Sequence, residues 1–276
     1  MKEASYKIIH IIILLLAAAA IAFTFYPPSK NNFNPGASVS PSAENFTSTP
    51  EITPSASPEI SPALSPTPKT SPTISPSPAN LPERDVLLDV PFTSQAPFGD
   101  WADPRQQDGC EEASALMAVS WARGEALTSQ KSLDEILAIA DYEEKHYGNY
   151  HDTDAEDTAD RIYKGYFGYV NIEVRHQIDI EDIKQELFKG NLVVVPADGR
   201  ELGNPHYTPP GPLEHNIVIR GYDAAKKEFI TNDSGTSYGE KYRYAEKVME
   251  GALLDYPTGD KEAVIPGRTA MIIVSR

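Results

Sequence analysis

The residues beyond position 82 predict an α+β fold in which helices come first and a mostly antiparallel sheet follows. Apolar residues recur at helical spacing between about 110 and 190; past 190 they give way to β-branched runs separated by turns. No internal repeat is visible, and Gly and Pro gather between the periodic segments rather than within them.

Taken in order, VLLDVPFTSQ (86–95) is apolar and ends at Ser-Gln, which predicts a strand running into a loop. The loop APFGDWADPRQQDG carries Pro97, Gly99, Pro104 and Gly109. Ala113, Leu116, Met117 and Ser120 then mark a helix from about Cys110 to Arg123. SLDEILAIADYEEK predicts a second helix, with Ser132 as N-cap and Glu135 completing a capping box. DTDAEDTADRIYKGYFG predicts a third, and DIEDIKQELFKG a fourth that ends on Gly190 as a C-cap. LVVVPA (192–197), HNIVIRGYD (215–223), KEFITND (227–233) and AMIIVS (270–275) read as strands.

The first 82 residues cannot join this core. Lys2 and Lys7 precede an apolar run from Ile8 to Tyr26, too long for most signal-peptide cores and close to the length of a membrane span. Residues 1–26 are therefore expected to be a membrane anchor or signal peptide. The anchor is favoured because apolar residues continue past the Ala20-Ile21-Ala22 cleavage option, and the flanking lysines keep the N-terminus inside. Residues 27–82 are a Pro/Ser/Thr tract without periodicity, expected to be a disordered stalk that could reach on the order of 100 Å. Residues 83–276 form the expected folded domain, outside the cytoplasm and held at the cell membrane by a single pass, or secreted if the segment is cleaved.

The 276 residues carry 24 basic and 40 acidic side chains; four of each lie in the first 82, which leaves 20 against 36 in the domain. That balance argues against nucleic acid as a partner. With one cysteine no intramolecular disulfide can form, so a thiol kept in an exported domain is either inert and buried or used.

Cys110 opens a helix, where partial positive charge and unpaired amides favour thiolate, and Gly109 leaves room for a substrate backbone. Glu111 and Glu112 oppose that effect. A nucleophilic thiol needs a base and a group to orient the base. His215 is the best candidate, because it begins a strand after the Pro/Gly-rich loop DGRELGNPHYTPPGPLE; His206, inside that loop, is the runner-up. Asp223 ends the same strand, more than about 20 Å away, and is excluded as orienter. The returning strand FITND offers Asn232 or Asp233. Gln95, with a main-chain N–H at the helix start, could form an oxyanion hole; Gln106 and Gln107 are alternatives nearer in sequence.

In this order, "VPFTSQ", "DGCEEASALM", "HNIVIRGYD" and "FITND" resemble the papain-like cysteine peptidases, and in detail the bacteriocin-processing (double-glycine leader) peptidases and their wider relatives. The resemblance spans residues 86 to 275. It implies the papain-like fold, Cys110 as nucleophile, His215 as base, Asp233 as orienter, Gln95 in the oxyanion hole, and no cofactor or metal. Two positions depart from the family's pattern: Cys110-Glu111-Glu112 stands where relatives usually carry Cys-Gly-Pro, and Asp233-Ser234 where they usually carry Asp-Pro. No ATP-binding motif accompanies the domain, so cleavage after a double glycine is not implied.

The expected activity is hydrolysis of a peptide or amide bond, on a peptide or protein substrate; cell-wall peptides, secreted proteins and signal peptides all fit. The alternatives are an inactive papain-like wall- or protein-binding module, and an acyl or amide transferase on the same triad. HDTDAEDTAD (151–160) lacks the glycine and glutamate of a calcium loop and reads as acids at a helix start. Trp101, Tyr207 and the tyrosines between 142 and 169 suit either a groove or ordinary packing.

Overall fold

Helices and antiparallel strands alternate through the described part of the chain, residues 82–259 and 263–276 of a computed structural model. The expected anchor (1–26) and all but the last residue of the expected stalk (27–82) lie outside the described residues. Among the described residues no helix is long and apolar enough to cross a membrane.

The elements run β1 (Val86–Leu87), α1 (Pro104–Gln107), α2 (Cys110–Arg123), α3 (Ser129–Tyr147), α4 (Ala155–Asp157), a π-helical stretch (Thr158–Tyr166), β2 (Ile172–His176), α5 (Ile180–Lys189), β3 (Leu192–Ala197), α6 (Gly199–Leu202), β4 (His215–Asp223), β5 (Glu228–Asp233), β6 (Glu240–Ala245), α7 (Glu246–Ala252) and β7 (Ala270–Val274). The strands form one sheet in the order β2-β7-β3-β4-β5-β6, with β1 added on β4, and every pairing is antiparallel. This is the α+β arrangement with an antiparallel sheet that the sequence predicts.

Each face of the sheet is buried under helices, so β3 and β7 are apolar throughout instead of alternating, and β4 is buried along all but its last residue. Leu192, Val194, Val218 and Ile272 pack against Met117 and Trp121 of α2 and against Ile162 and Tyr163 of the π-helical stretch. Val193, Val195, Ile217 and Ile219, on the opposite face, pack with Ile183 and Leu187 of α5 and with Met249 of α7. β2 and β6 escaped the sequence reading because they are half exposed and rich in charged residues.

Other boundaries moved for local reasons. The predicted strand 86–95 pairs only at Val86 and Leu87. Beyond them Pro91 has no N–H to give, and side chains take over the carbonyls: the Arg220 guanidinium donates to Leu88 O, and Asn232 Nδ2 donates to Pro91 O at 3.1 Å. The second helix starts earlier than expected, because Thr128 Oγ1 accepts from Lys131 N; Ser132 is buried inside it and is not the cap. α5 has the expected Gly190 C-cap, at φ 91°, together with a capping box on Asp179.

Gly109 sets where α2 begins. A Cβ there would lie 2.7 Å from Arg105 O and 3.3 Å from Ile136 Cγ2, so only glycine lets α1 and α3 close on the start of α2. Gly109→Ala should cost about 1–3 kcal/mol through this overpacking, seen as a lowered midpoint in thermal unfolding.

Candidate active site

The starts of α2 and β4 meet at a cleft of about 540 Å³, whose lining includes Gln95, Cys110, Asp152, Tyr207, Glu214 and His215. Ser114, one turn into α2, donates to Asn216 O at 3.1 Å and ties the two element starts together. The charged side chains of the lining are Asp108, Asp152 and Glu214, with no lysine or arginine among them.

Strand register decides which residue meets the imidazole. Asp233 pairs with Ile217, two residues into β4 from His215, so the two side chains share a sheet face. His215 Nε2 and Asp233 Oδ1 are 2.9 Å apart. Asn232 points to the other face, where its Oδ1 accepts from Arg220 Nη1 at 3.0 Å, so of the two candidates Asp233 meets the ring.

Asp233 has no exposed surface, and burial by itself would raise its pKa. The His215 imidazole and the tyrosine hydroxyls outweigh that and hold it at about 2. The donors to Oδ2 are Tyr207 and Tyr244, each at 2.6 Å, and Asn204 Nδ2 at 3.0 Å; Gly235 N donates to Oδ1 at 3.1 Å. An ionised carboxylate only accepts, so Nε2 carries the proton in the neutral ring and Nδ1 is left as the basic nitrogen. A Cβ on Gly235 would come within 3.0 Å of both the His215 and Tyr207 rings, so glycine is what lets the loop lie against the imidazole.

Cys110 is buried, and its thiol donates to Glu111 Oε2 at 3.0 Å. Burial, then the Glu111 and Asp152 carboxyls, push the thiol pKa well above its ordinary value, against the helix-start effect expected from sequence. Gln95 lines the cleft as expected, yet its Nε2 donates to Gln106 O at 3.1 Å and Gln107 O at 2.8 Å. Gln106 and Gln107 thus meet Gln95 through their main chain. His206 also lines the cleft, stacked on Tyr238 with ring centroids 4.5 Å apart.

Sequence reading placed Glu111 and Glu112 beside the thiol but missed their burial and the part played by Glu143. Glu111, Glu112 and Glu143 are buried, and none of the four carboxylate oxygens of Glu112 and Glu143 has a hydrogen-bond partner among the described residues. Charge on Glu112 and Glu143 is expensive there, so these two retain their protons. Burial, then Glu111, raise Glu143 to about 8; burial, then Glu111 and Glu214, raise Asp152 to about 9. The stretch 151–160 does supply a helix cap, with Asp154 Oδ1 accepting from Asp157 N. Its Asp152 reaches the cleft instead, at φ 25°. No group of three or more His, Cys, Asp and Glu among the described residues could hold a metal ion.

A group whose folded pKa is raised binds a proton that the unfolded chain has lost, so its stabilising contribution declines as pH rises from the ordinary carboxylate range toward the folded pKa. Thermal stability should therefore fall from about pH 5 to pH 9 as Glu143 and Asp152 titrate. Glu112→Gln should flatten that slope and raise the midpoint at pH 8, measured by calorimetry.

The model of the Peptidase_C39 like family matches residues 87–258. A solved C39-like peptidase from Bacillus anthracis aligns at 17% identity and a TM-score of 0.44, over 70% of this chain and 99% of that one. No curated protein matches the chain.

Proposed function

Because the chain belongs to the Peptidase_C39 like family of papain-like cysteine peptidases, we propose that it is an exported, membrane-tethered peptidase working through Cys110, His215 and Asp233. The observation that carries this reading is the fixed imidazole: Nε2 is held on a buried, ionised Asp233, and the ring lines the same cleft as the chain's one thiol.

In the first step the Cys110 thiol gives its proton to His215 Nδ1, and Sγ attacks the carbonyl carbon of a peptide or amide bond. The carbonyl π pair moves to oxygen, beside the main-chain N–H of Cys110 at the start of α2. Gln95 can add a donor there by exchanging one of its bonds to the α1 carbonyls for the substrate oxygen. The intermediate collapses, the leaving amine takes the proton from His215, and a thioester remains on Cys110. Water, deprotonated by the same imidazole, releases the acid and regenerates the thiol. Asp233 stays ionised throughout and stabilises the imidazolium.

Export and tethering rest on the apolar run from Ile8 to Tyr26 and the Pro/Ser/Thr tract after it, which would place the domain outward on a stalk with wall peptides and secreted proteins within reach. The buried thiol bonded to Glu111 favours the second reading, a binding module that keeps the fold without turnover.

A peptide-amide probe with a thiol-reactive group should form an adduct on the full-length protein, detected by mass spectrometry and absent in Cys110→Ala. His215→Ala and Asp233→Asn should each slow turnover of a peptide amide by about 10²–10⁴-fold. A module that only binds would form no adduct and would keep its ligand affinity in Cys110→Ala.

A further inference from the structure

Glu111 follows the nucleophile in the chain, and it touches the reacting atom. Three donors from three parts of the chain converge on its carboxyl. The Cys110 thiol donates to Oε2 at 3.0 Å, while Oε1 accepts from the Tyr256 hydroxyl at 2.5 Å and from Thr153 N at 3.4 Å. Tyr256 is fully buried in the segment after α7, and Thr153 in the one before α4. Two of the three anchors are thus independent of the thiol, and all three suit an ionised, accepting carboxyl. Among the described residues no hydrogen bond joins Sγ to His215; the imidazole is held on Asp233 instead.

We propose that Glu111 is a catalytic residue of the resting enzyme: its carboxylate holds the Cys110 S–H out of contact with His215, and attack begins only when Sγ turns from Glu111 to Nδ1. This rests on the hydrolase reading above. In the turn the S–H···O contact breaks and the proton stays on sulfur. It then passes to Nδ1 as the sulfur lone pair forms the S–C bond, so Glu111 neither gains nor loses a proton over the cycle. The resting thiol is thereby protected, since only thiolate is readily oxidised or alkylated, and the proposed location is an oxidising one.

The groups facing the sulfur are Glu111 and Glu112 on its own helix, Asp152 from the segment after α3, Tyr256 after α7, and Asp108, Glu214 and His215 around the cleft. All but the imidazole oppose a negative sulfur or are neutral beside it. A general field and a specific hydrogen bond are therefore separable by substitution.

The test is the pH dependence of iodoacetamide alkylation on the full-length protein, where Cys110 is the single cysteine and the product is unambiguous. Glu111→Gln keeps an oxygen for Tyr256 and should lower the alkylation midpoint by at least about one pH unit, a roughly tenfold faster reaction at neutral pH. Glu112→Gln removes a neighbouring carboxyl that does not touch the sulfur, and should shift the midpoint far less. Tyr256→Phe takes a donor from Glu111, strengthens its hold on the thiol, and should raise the midpoint. An unchanged midpoint in Glu111→Gln, or an equal shift in Glu112→Gln, overturns the proposal. If Glu111→Gln does not fold, an unchanged midpoint in Tyr256→Phe overturns it instead. Adding His215→Ala to Glu111→Gln should raise the midpoint again. If it does not, while Glu111→Gln alone behaves as expected, the thiol–carboxylate contact stands and the hydrolase reading falls.

Discussion

Asp233 carries its charge in a place with no access to water, and most of the cleft is arranged to meet the cost of that. An unpaired buried carboxylate would be unfavourable by several kcal/mol. Here two tyrosine hydroxyls, an asparagine amide, a main-chain N–H and an imidazole surround it. Those partners come from the β3–β4 connection, from the start of β4, from the β5–β6 turn and from β6, so satisfying one charge fixes four pieces of chain. The imidazole inherits its orientation from this network, and with it the nitrogen it can offer to the thiol.

On the thiol side the balance is reversed. Glu111 has donors, but Glu112 and Glu143 are buried without any, and their proximity makes ionisation of one oppose ionisation of the other. The cleft therefore lies between a carboxylate held charged and a group of carboxyls held largely neutral. The contrast follows from hydrogen-bond donors: Asp233 has four besides the imidazole, and the Glu112–Glu143 pair has none.

Much of this was legible from residues alone. Cys110 at a helix start, His215 at a strand start and a returning strand that carries Asn232 and Asp233 follow from period and turn signals, and α2, β3 and β4 begin and end where the apolar runs do. The choice between Asn232 and Asp233 was not legible, because adjacent strand residues face opposite ways and only the β4–β5 register says which faces His215. Nor were Tyr244, Asn204 and Tyr256, which reach the site across long sequence separations that carry no local pattern. Glu111 and Glu112 were legible as first-turn acids that oppose a thiolate, but not as buried ones. Their burial depends on α3 and the segment after α7 closing over them, which is a tertiary fact. The π-helical stretch was read as ordinary helix, since its apolar spacing differs too little from the α period.

Arg220 has a mechanical consequence. It sits at the β-bulge of β4, fully buried, with its guanidinium on Leu88 O and on Asn232 Oδ1. Leu88 N in turn donates to Arg220 O at 2.8 Å, and Val86 and Leu87 pair with Tyr222 and Gly221. A pull applied to the chain ahead of Val86 would thus load the middle of the sheet, through a clamp and a short strand in shear. The clamp stands between that pull and Gln95, which lies farther along the same segment, so tension would be borne by β4 before it reached the cleft.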